Sequence, residues 1–189
     1  MIASDWVITA GHCFRDVNGV RVDRPVADLT TATVGRADLS GTNGHVRTVV
    51  AVRQSPTNDI ALAKLDRPVR GIQPLSLATS PPRAGDVLRL TGYGALNSDV
   101  IVPSTILQTG QVSVVSVEAS TIGVTGFAPA PDTSACPFDS GAPYFVEGRR
   151  GRAPKLVSVE NTGPDCPHAD VETTARVDNI VHWIRSVIR

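Results

Sequence analysis

Apolar and polar residues alternate in short runs along most of this chain, and its 16 glycines and 14 prolines are spread between the runs. Residues 46–52 put Val46, Val50 and Val52 on one face, as expected for a half-buried strand, and residues 107–117 repeat the pattern. Further strands are predicted at residues 6–10, 30–34, 60–65, 87–91, 121–124, 142–146, 156–160 and 173–177. Short strands with turn residues between them are typical of a sandwich or a barrel.

Two other segments depart from this strand pattern. Residues 68–82 contain five prolines or glycines, which predicts an extended linker between two halves of the chain. The C-terminal residues instead have helical spacing, with Asp178 at the expected N-cap. The apolar face of this predicted helix is formed by Ile180, Val181, Ile184, Val187 and Ile188. One amphipathic helix therefore closes a chain that is otherwise rich in strands.

Length and charge narrow the functional classes. At 189 residues the chain has room for one domain or two small ones and for a buried core. Its 18 basic and 18 acidic residues balance, so charge favours neither a nucleic acid nor an anionic membrane as a partner. No apolar run has the length that a membrane span needs. We therefore expect a soluble globular protein that binds neither.

Residues 135–143 contain the most distinctive chemistry in the chain. Ser140 follows an acid, Asp139, and precedes the small residues Gly141 and Ala142. Small neighbours leave room for a substrate backbone to approach the hydroxyl group. A serine hydroxyl is a weak nucleophile unless a base is held against it, usually an imidazole that is oriented by a carboxylate. Ser140 is a candidate nucleophile if the chain also supplies that pair.

His12 and Asp59 are the candidates for the pair, and each also has an ordinary explanation. His12 follows a predicted strand, where an isolated histidine is usually a surface residue or a satisfied core residue. Asp59 lies in a turn before an apolar strand, where an aspartate most often bonds its own backbone. Taken alone, neither residue predicts catalysis.

Taken together, three segments resemble the chymotrypsin/trypsin-like serine protease family, of the secreted bacterial type. They are Trp6-Val7-Ile8-Thr9-Ala10-Gly11-His12-Cys13, Asn58-Asp59-Ile60-Ala61-Leu62 and Asp139-Ser140-Gly141-Ala142-Pro143. The order His, Asp, Ser is that of this family and differs from the order in subtilisins and α/β-hydrolases. Weaker matches at residues 92–94, 156–158, 176–177 and 183–184 extend the resemblance over essentially the whole chain.

The resemblance implies an all-β fold of two chymotrypsin-like antiparallel β-barrels with a C-terminal α-helix. The expected units are an N-terminal barrel at residues 1–80, a C-terminal barrel at residues 81–177 and a helix at residues 178–189. The chain begins inside the strand that leads to His12, so we expect the first barrel to be incomplete. We also expect a missing upstream segment that carries a secretion signal and a fourth cysteine.

The same resemblance assigns roles to the candidate residues. His12 would act as general base and acid, Asp59 would orient its imidazole, and Ser140 would attack the scissile carbonyl. The backbone N–H groups of Phe138 and Ser140 match the donors of an oxyanion hole. Phe138 stands where the family has glycine, and its Cβ restricts the backbone geometry that such a donor needs. In the family, a free N-terminal amine binds the acid that precedes the nucleophile, which here is Asp139. Because that amine would lie in the expected missing upstream segment, we expect Asp139 to lack its partner.

The cysteines and the family's substrate pocket give further expectations. The three cysteines leave one unpaired in any disulfide scheme, and three inert thiols in a cytosolic protein stay an alternative. The resemblance implies a disulfide between Cys136 and Cys166 beside the pocket, a free Cys13, and an extracellular, secreted protein. Four residues match pocket positions: Ser134, Ser158, Glu160 and Glu172.

Among these pocket residues, the two glutamates are the least expected. Ser134 is neutral where an acid would select arginine or lysine, and Ser158 also matches a serine that supports the carboxylate of Asp59. Glu160 stands where glycine is usual. If Glu172 points into the pocket, we expect it to attract a cationic side chain of the substrate. Either glutamate also has an ordinary interpretation as a solvated surface residue.

No cofactor and no metal site are predicted, because Asp165, Cys166 and His168 lack a second cluster of ligands. The expected partners are protein or peptide substrates, without nucleic acid or membrane, and we expect a monomer. The leading prediction is a serine endopeptidase that works through a His-Asp-Ser triad and an acyl-enzyme intermediate. The alternative is a catalytically silent homologue that serves as a protein-binding module, which Phe138 favours.

Overall fold

The computed structural model describes residues 1–23, 29–148 and 152–189. In these residues the chain forms eleven strands and one α-helix. The strands are β1 (Trp6–Ala10), β2 (Thr31–Val34), β3 (His45–Gln54), β4 (Ile60–Leu65), β5 (Ser76–Leu77), β6 (Val87–Gly92), β7 (Gln108–Val117), β8 (Thr121–Ala128), β9 (Pro143–Val146), β10 (Lys155–Thr162) and β11 (Glu172–Arg176), and the helix is α1 (Val181–Val187). The prediction of a β-rich chain with one C-terminal helix is confirmed.

The first four strands form one antiparallel sheet in the order β1-β4-β3-β2. Strand β4 is buried on both faces except at Lys64, which explains its almost continuous apolar sequence. Ala61 and Ala63 pack against Val52 inside this sheet, whereas Leu62 faces the other half of the molecule. The sheet curls into half of a barrel, so the prediction of an incomplete first barrel is confirmed.

Six later strands close a second barrel in the order β11-β8-β7-β6-β9-β10, because β10 pairs back onto β11. The short strand β5 is added in parallel to β10. The interior is filled by inward-facing residues of all the longer strands, including Leu88, Val112, Ile122, Val124 and Tyr144. Strand β5 lies inside the segment that was predicted to be a linker. The sequence did not predict this strand, because two residues are too few to show an alternating pattern.

A third cluster joins the half barrel, the second barrel and the C-terminal helix. Trp6 and Leu62 of the first sheet pack there with Val159 of β10 and Ile184 of α1. The helical spacing of the C-terminal residues is thus explained by a face that is buried between the two sheets. No helix in the described part of the chain is long and apolar enough to cross a membrane.

The start of the C-terminal segment differs from the prediction. Asp178–Ile180 form a 3₁₀ turn before α1, and Asp178 makes no side-chain capping bond. Its carboxylate accepts two hydrogen bonds from Arg176, with Nε–Oδ1 at 3.0 Å and Nη2–Oδ2 at 2.7 Å. A bidentate guanidinium contact is stronger than a bond from a neutral backbone N–H group, so the carboxylate pairs with the arginine.

Candidate active site

His12 and Asp59 meet at the end of the β1–β4 pair. Strand β1 ends at Ala10, and the 3₁₀ turn Gly11–Cys13 carries His12. Asp59 directly precedes β4, whose Ile60 pairs with Ala10, so the strand register brings the two side chains together. Nδ1 of His12 lies 2.6 Å from Oδ2 of Asp59. Because a carboxylate only accepts hydrogen bonds, Nδ1 carries the hydrogen and Nε2 is left to take up a proton.

Arg21 is a second partner of Asp59 that the sequence did not predict. Its Nη1 lies 3.3 Å from Oδ1 of Asp59 and donates to the carbonyl oxygen of Asn58 at 2.7 Å. A Cβ atom at Gly11 would come within 2.8 Å of the same Oδ1, so the turn needs glycine at this point. Arg21 lies in a loop without hydrophobic periodicity, and nothing in its surroundings in the sequence indicates this contact.

Asn58 fastens the turn before β4 to the second barrel. Its side chain is buried, and its Nδ2 donates to the carbonyl oxygen of Arg176 at 2.7 Å and to Oδ1 of Asn179 at 2.9 Å. The orientation of Asp59 therefore depends on both halves of the molecule. Ser158, which matches a serine expected to support Asp59, accepts a hydrogen bond from Thr174 instead, at 2.8 Å.

The loop before β9 exposes Ser140 and buries Asp139. The carboxylate of Asp139 accepts hydrogen bonds from the N–H groups of Gly94, at 2.8 Å, and Cys136, at 3.1 Å. A Cβ atom at Gly92 or Gly94 would overlap this carboxylate. Burial raises the pKa of Asp139. We expected this acid to lack its partner, and the structure gives it two backbone donors.

The segment after Ser140 packs directly against the strand that leads to His12. Gly141 has a φ of +85°, and a Cβ atom at this position would overlap the side chain of Thr9 and approach the nitrogen of Ala10 at 2.8 Å. This close approach places Ser140 beside the end of β1. Ser140 lines both a cleft of about 850 Å³ along the half barrel and a smaller pocket of about 210 Å³.

Phe138 lies between the two cavities and lines both of them. Its φ is +77° and its side chain is 60% exposed. A left-handed backbone at a residue with a Cβ costs on the order of 1 kcal/mol. Within the described ranges, the N–H groups of Phe138 and Ser140 have no backbone acceptor. Both donors are therefore available to an oxygen atom brought by a ligand.

A disulfide joins Cys136 to Cys166 beside the smaller pocket, with their Cα atoms 5.3 Å apart, and Cys13 is a free, exposed cysteine. Ser98 holds the far end of this bridge: the N–H group of Cys166 donates to Oγ of Ser98 at 2.7 Å. Across the residues that the structure describes, no three His, Cys, Asp or Glu side chains come together as a metal site.

Only one of the four predicted pocket residues lines the smaller pocket. Glu160 lies in its wall with Cys136 and Ser140. Ser134 borders a neighbouring cavity of about 330 Å³, where its Oγ accepts the N–H group of His168 at 3.2 Å. Ser158 and Glu172 are buried in the second barrel, with 0% and 1% of their surface exposed.

Glu160 and Glu172 are linked by a buried tyrosine that the sequence analysis did not single out. The hydroxyl oxygen of Tyr144 lies 2.8 Å from Oε2 of Glu160 and 2.5 Å from Oε1 of Glu172. Burial, and then the charge of Glu172, raise the pKa of Glu160 to about 8. Burial also raises the pKa of Glu172, and it raises that of the Tyr144 hydroxyl well above its usual range. Neither glutamate is a solvated surface residue.

Comparisons with known proteins identify a family for this chain. The family model described as Trypsin matches residues 1–184. The Beta-fibrinogenase-like protein of Daboia siamensis is 28% identical over 207 residues, covering 100% of this chain and 76% of that protein. Serine protease SP24D of Anopheles gambiae is 28% identical over 204 residues, covering 100% of this chain and 70% of that protein.

A solved structure extends the similarity to the fold. It is described as neuropsin, a serine protease expressed in the limbic system of mouse brain. The superposition has a TM-score of 0.82 at 18% identity and covers 100% of this chain and 87% of that chain. At this identity the likeness concerns the fold alone, which is the chymotrypsin-like arrangement of two β-barrels.

Proposed function

The chain belongs to the trypsin family of serine proteases, and we propose that it is a serine endopeptidase working through an acyl-enzyme intermediate. The observation that carries the proposal is the 2.6 Å contact between Nδ1 of His12 and Oδ2 of Asp59. The close packing of Gly141 against the end of β1 supports it, because Ser140 directly precedes that glycine. A base, an acid that orients it and an exposed hydroxyl are the three groups that this chemistry requires.

The mechanism assigns a role to each of these residues. Nε2 of His12 takes the proton of the Ser140 hydroxyl as Oγ attacks the carbonyl carbon, and then gives it to the leaving amine. Asp59 keeps the hydrogen on Nδ1 and stabilises the imidazolium that forms. The oxygen of the tetrahedral intermediate accepts hydrogen bonds from the N–H groups of Phe138 and Ser140. Water then attacks the acyl group with the same proton transfers, and the acid product leaves.

Phe138 supports a second candidate function, a catalytically silent homologue that binds proteins. Its positive φ strains the backbone that carries one oxyanion donor, and turnover would fall about 10²- to 10³-fold if that donor moved away when a substrate binds. The contact between His12 and Asp59 speaks against this alternative, since a silent binding module does not need an oriented base. We therefore place the endopeptidase first.

An organophosphonate probe, which forms a covalent bond with an activated serine, tests the proposal. We expect mass spectrometry to find the probe on Ser140 of the full chain, with no labelling in Ser140→Ala and very slow labelling in His12→Ala. Ser186→Ala is the matched control, because Ser186 is an exposed serine on α1 far from the cleft. A folded chain that is not labelled at Ser140 would leave the binding module as the better assignment.

We further propose that the protein acts outside the cell, as a monomer, on protein or peptide substrates. The disulfide between Cys136 and Cys166 supports this location, because such bonds persist in oxidising compartments. Similarity to snake venom serine proteases of Crotalus durissus durissus and Gloydius brevicauda also supports it. Alkylation of the denatured, non-reduced protein should modify Cys13 alone, and modification of all three cysteines would contradict this proposal.

A further inference from the structure

The 210 Å³ pocket beside Ser140 has a glutamate in its wall. Glu160 of β10 lines the pocket, although only 4% of its surface is exposed. Its backbone is bonded to both residues that follow Ser140: Gly141 N–H donates to Glu160 O at 2.9 Å, and Glu160 N–H donates to Ala142 O at 2.8 Å. The position of the Glu160 backbone relative to Ser140 is therefore fixed by two hydrogen bonds, and the carboxyl group is held by the hydroxyl of Tyr144 at 2.8 Å.

The hydroxyl group of Tyr144 contacts two carboxyl groups but has only one hydrogen. Its oxygen lies 2.8 Å from Glu160 and 2.5 Å from Glu172, and both distances are hydrogen-bond distances. If both glutamates were ionised, one carboxylate oxygen would face the phenol oxygen without a hydrogen between them. Such a contact is repulsive, and burial makes it more so. The two contacts together therefore require a second hydrogen on one of the glutamates.

The surroundings assign that hydrogen to Glu160. Each glutamate has one backbone donor, since Oε2 of Glu172 accepts the N–H group of Ala135 at 3.0 Å and Glu160 accepts that of Asn161. Only Glu172 also faces an imidazole, with Nε2 of His168 at 3.6 Å. The 2.5 Å contact of Glu172 also has the length of a bond to an ionised oxygen, whereas 2.8 Å is usual between neutral groups. The carboxyl of Glu160 then donates to Tyr144, and Tyr144 donates to Glu172.

We propose that Glu160 is the residue that determines the substrate specificity of this pocket. While Glu160 is protonated, the pocket takes uncharged polar P1 side chains. Once Glu160 has lost that proton, the pocket takes guanidinium or ammonium side chains. P1 denotes the substrate residue whose carbonyl group is attacked. The inference rests on the proposed function and names its substrate class. The sequence had suggested Glu172 for this role, but Glu172 contacts Tyr144 and does not line the pocket.

The titratable groups around Glu160 are nearly all acids. Tyr144 of β9 and Glu172 of β11 are described above, Asp139 lies on the loop before β9, and Asp165 lines the pocket on the loop after β10. A nearby histidine, His168, lies beside Glu172, with its Nε2 3.6 Å from Oε2 of that glutamate. No arginine or lysine lines this pocket within the described ranges. A cation brought by a substrate is thus the first positive charge that Glu160 meets, and its arrival favours release of the proton.

Ligand binding tests the inference without turnover. The full chain with Ser140→Ala is titrated with n-butylguanidinium and with n-butylurea, which has the same shape and no charge. From about pH 6 to about pH 9.5 we expect the affinity for the guanidinium to rise roughly tenfold or more, and the affinity for the urea to change little. Near neutral pH, calorimetry in buffers of different ionisation enthalpy should detect release of a proton when the guanidinium binds.

Glu160→Gln, combined with Ser140→Ala, is the matched variant, because it keeps the shape and cannot ionise. We expect it to lose the pH dependence and the proton release. Tyr144→Phe, in the same background, should shift the pH at which guanidinium affinity rises. In the active chain, the ratio of kcat/KM for P1 arginine over its uncharged isostere citrulline should rise with pH, since both substrates use the same catalytic groups.

The outcomes separate this inference from the proposed function. Equal guanidinium affinity at both pH values, or a Glu160→Gln variant that behaves like its parent, would overturn the assignment of Glu160 even if the phosphonate labels Ser140. Absence of phosphonate labelling with a normal ligand titration would overturn the endopeptidase and leave a pocket of this selectivity. Circular dichroism of each variant distinguishes lost binding from lost folding.

Discussion

Two groups of acidic side chains in this molecule are built in opposite ways. Asp59 has a side chain that is 21% exposed and lies between His12 and Arg21, both of which can carry positive charge. Glu160 and Glu172 are almost completely buried and share the hydroxyl of one tyrosine. The comparison shows that the partners of a carboxyl group decide whether it serves as a fixed charge or as a holder of a proton.

The two groups also differ in how they depend on the fold. The His12–Asp59 pair sits in a turn at the end of two strands, where solvent reaches both side chains. The glutamate–tyrosine group is part of the second barrel, where each polar atom depends on a buried partner. We therefore expect substitutions in the first group to change the rate of catalysis, and substitutions in the second to change stability and its dependence on pH.

The largest expected effect belongs to the first group. Asp59→Asn keeps the size of the side chain but offers an amide N–H group to Nδ1, which favours the wrong tautomer of His12. We expect kcat to fall by about 10³- to 10⁴-fold with little change in stability. The measurement is hydrolysis of a peptide substrate together with urea unfolding. Asp66→Asn, in the same half barrel, is the control, and a loss of less than tenfold in Asp59→Asn would contradict the role of Asp59.

Glu160→Gln should change stability instead, and the sign follows from the pKa. The folded state raises the pKa of Glu160 from 4.5 to about 8, so the protonated carboxyl stabilises the fold at low pH. That contribution is lost progressively between about pH 4.5, where the group ionises in the unfolded chain, and about pH 8, where it ionises in the folded protein. The glutamine variant does not titrate, so at about pH 9 we expect it to be more stable than the parent by on the order of 2 to 4 kcal/mol.

Urea unfolding of the parent and the glutamine variant, at about pH 5 and about pH 9, measures this difference. The two proteins should be nearly equal at the lower pH, because a protonated carboxyl and an amide are both uncharged. Other titrating residues are the same in both proteins and cancel. A constant difference at the two pH values would show that Glu160 does not hold a proton.

Tyr144→Phe separates the shared hydroxyl from the packing of the ring. It removes the hydrogen-bonding oxygen between the two glutamates, and we expect a loss of about 1 to 3 kcal/mol in the free energy of unfolding. In the Glu160→Gln background the loss should be smaller, because the new amide can itself donate to Glu172. Denaturation of the four proteins of this double-mutant cycle measures the coupling. Additive losses would argue that the hydroxyl does not link the two glutamates.

The smallest expected effect is that of Arg21→Met, which tests whether Arg21 contributes to the position of Asp59. The contact of Arg21 with Asp59 is 3.3 Å long, and 30% of the arginine side chain is exposed, so we expect it to contribute at most about 1 kcal/mol. A fall in kcat of a few fold with unchanged KM would indicate that Arg21 positions Asp59. The effect should weaken at high salt. A rise in KM alone would point to substrate binding instead.

The strands and the C-terminal helix could be predicted because their signals are local, whereas the His12–Asp59 pair was expected only from the family resemblance. The alternating runs and the spacing of the C-terminal apolar residues follow from which faces are buried. His12 and Asp59 each lie at the end of a recognisable strand, and antiparallel pairing of neighbouring strands brings such ends together. The contact of Arg21 with Asp59 was not predicted, because a loop residue has no periodic pattern that indicates where its side chain points.

The glutamate–tyrosine group could not be derived in this way. Tyr144 has the sequence context of an ordinary core aromatic in a strand. The pairing of β10 with β11 shifts between Glu160 and Thr162, so counting alternate residues does not tell which side chains share a face. The meeting of Glu160, Tyr144 and Glu172 depends on how three strands close the barrel, which is a property of the tertiary structure.

The core that joins the two halves has a consequence for recombination and engineering. Trp6 and Leu62 of the half barrel are buried against Val159 and Ile184. If the two halves were separated, each would expose apolar side chains to water on that side. The halves are therefore not interchangeable modules. A chimera that takes its second barrel and C-terminal helix from a relative must therefore also take the residues of β1 and β4 that pack against them. Domain shuffling within such a protein is restricted to exchanges that keep both sides of this core from one parent.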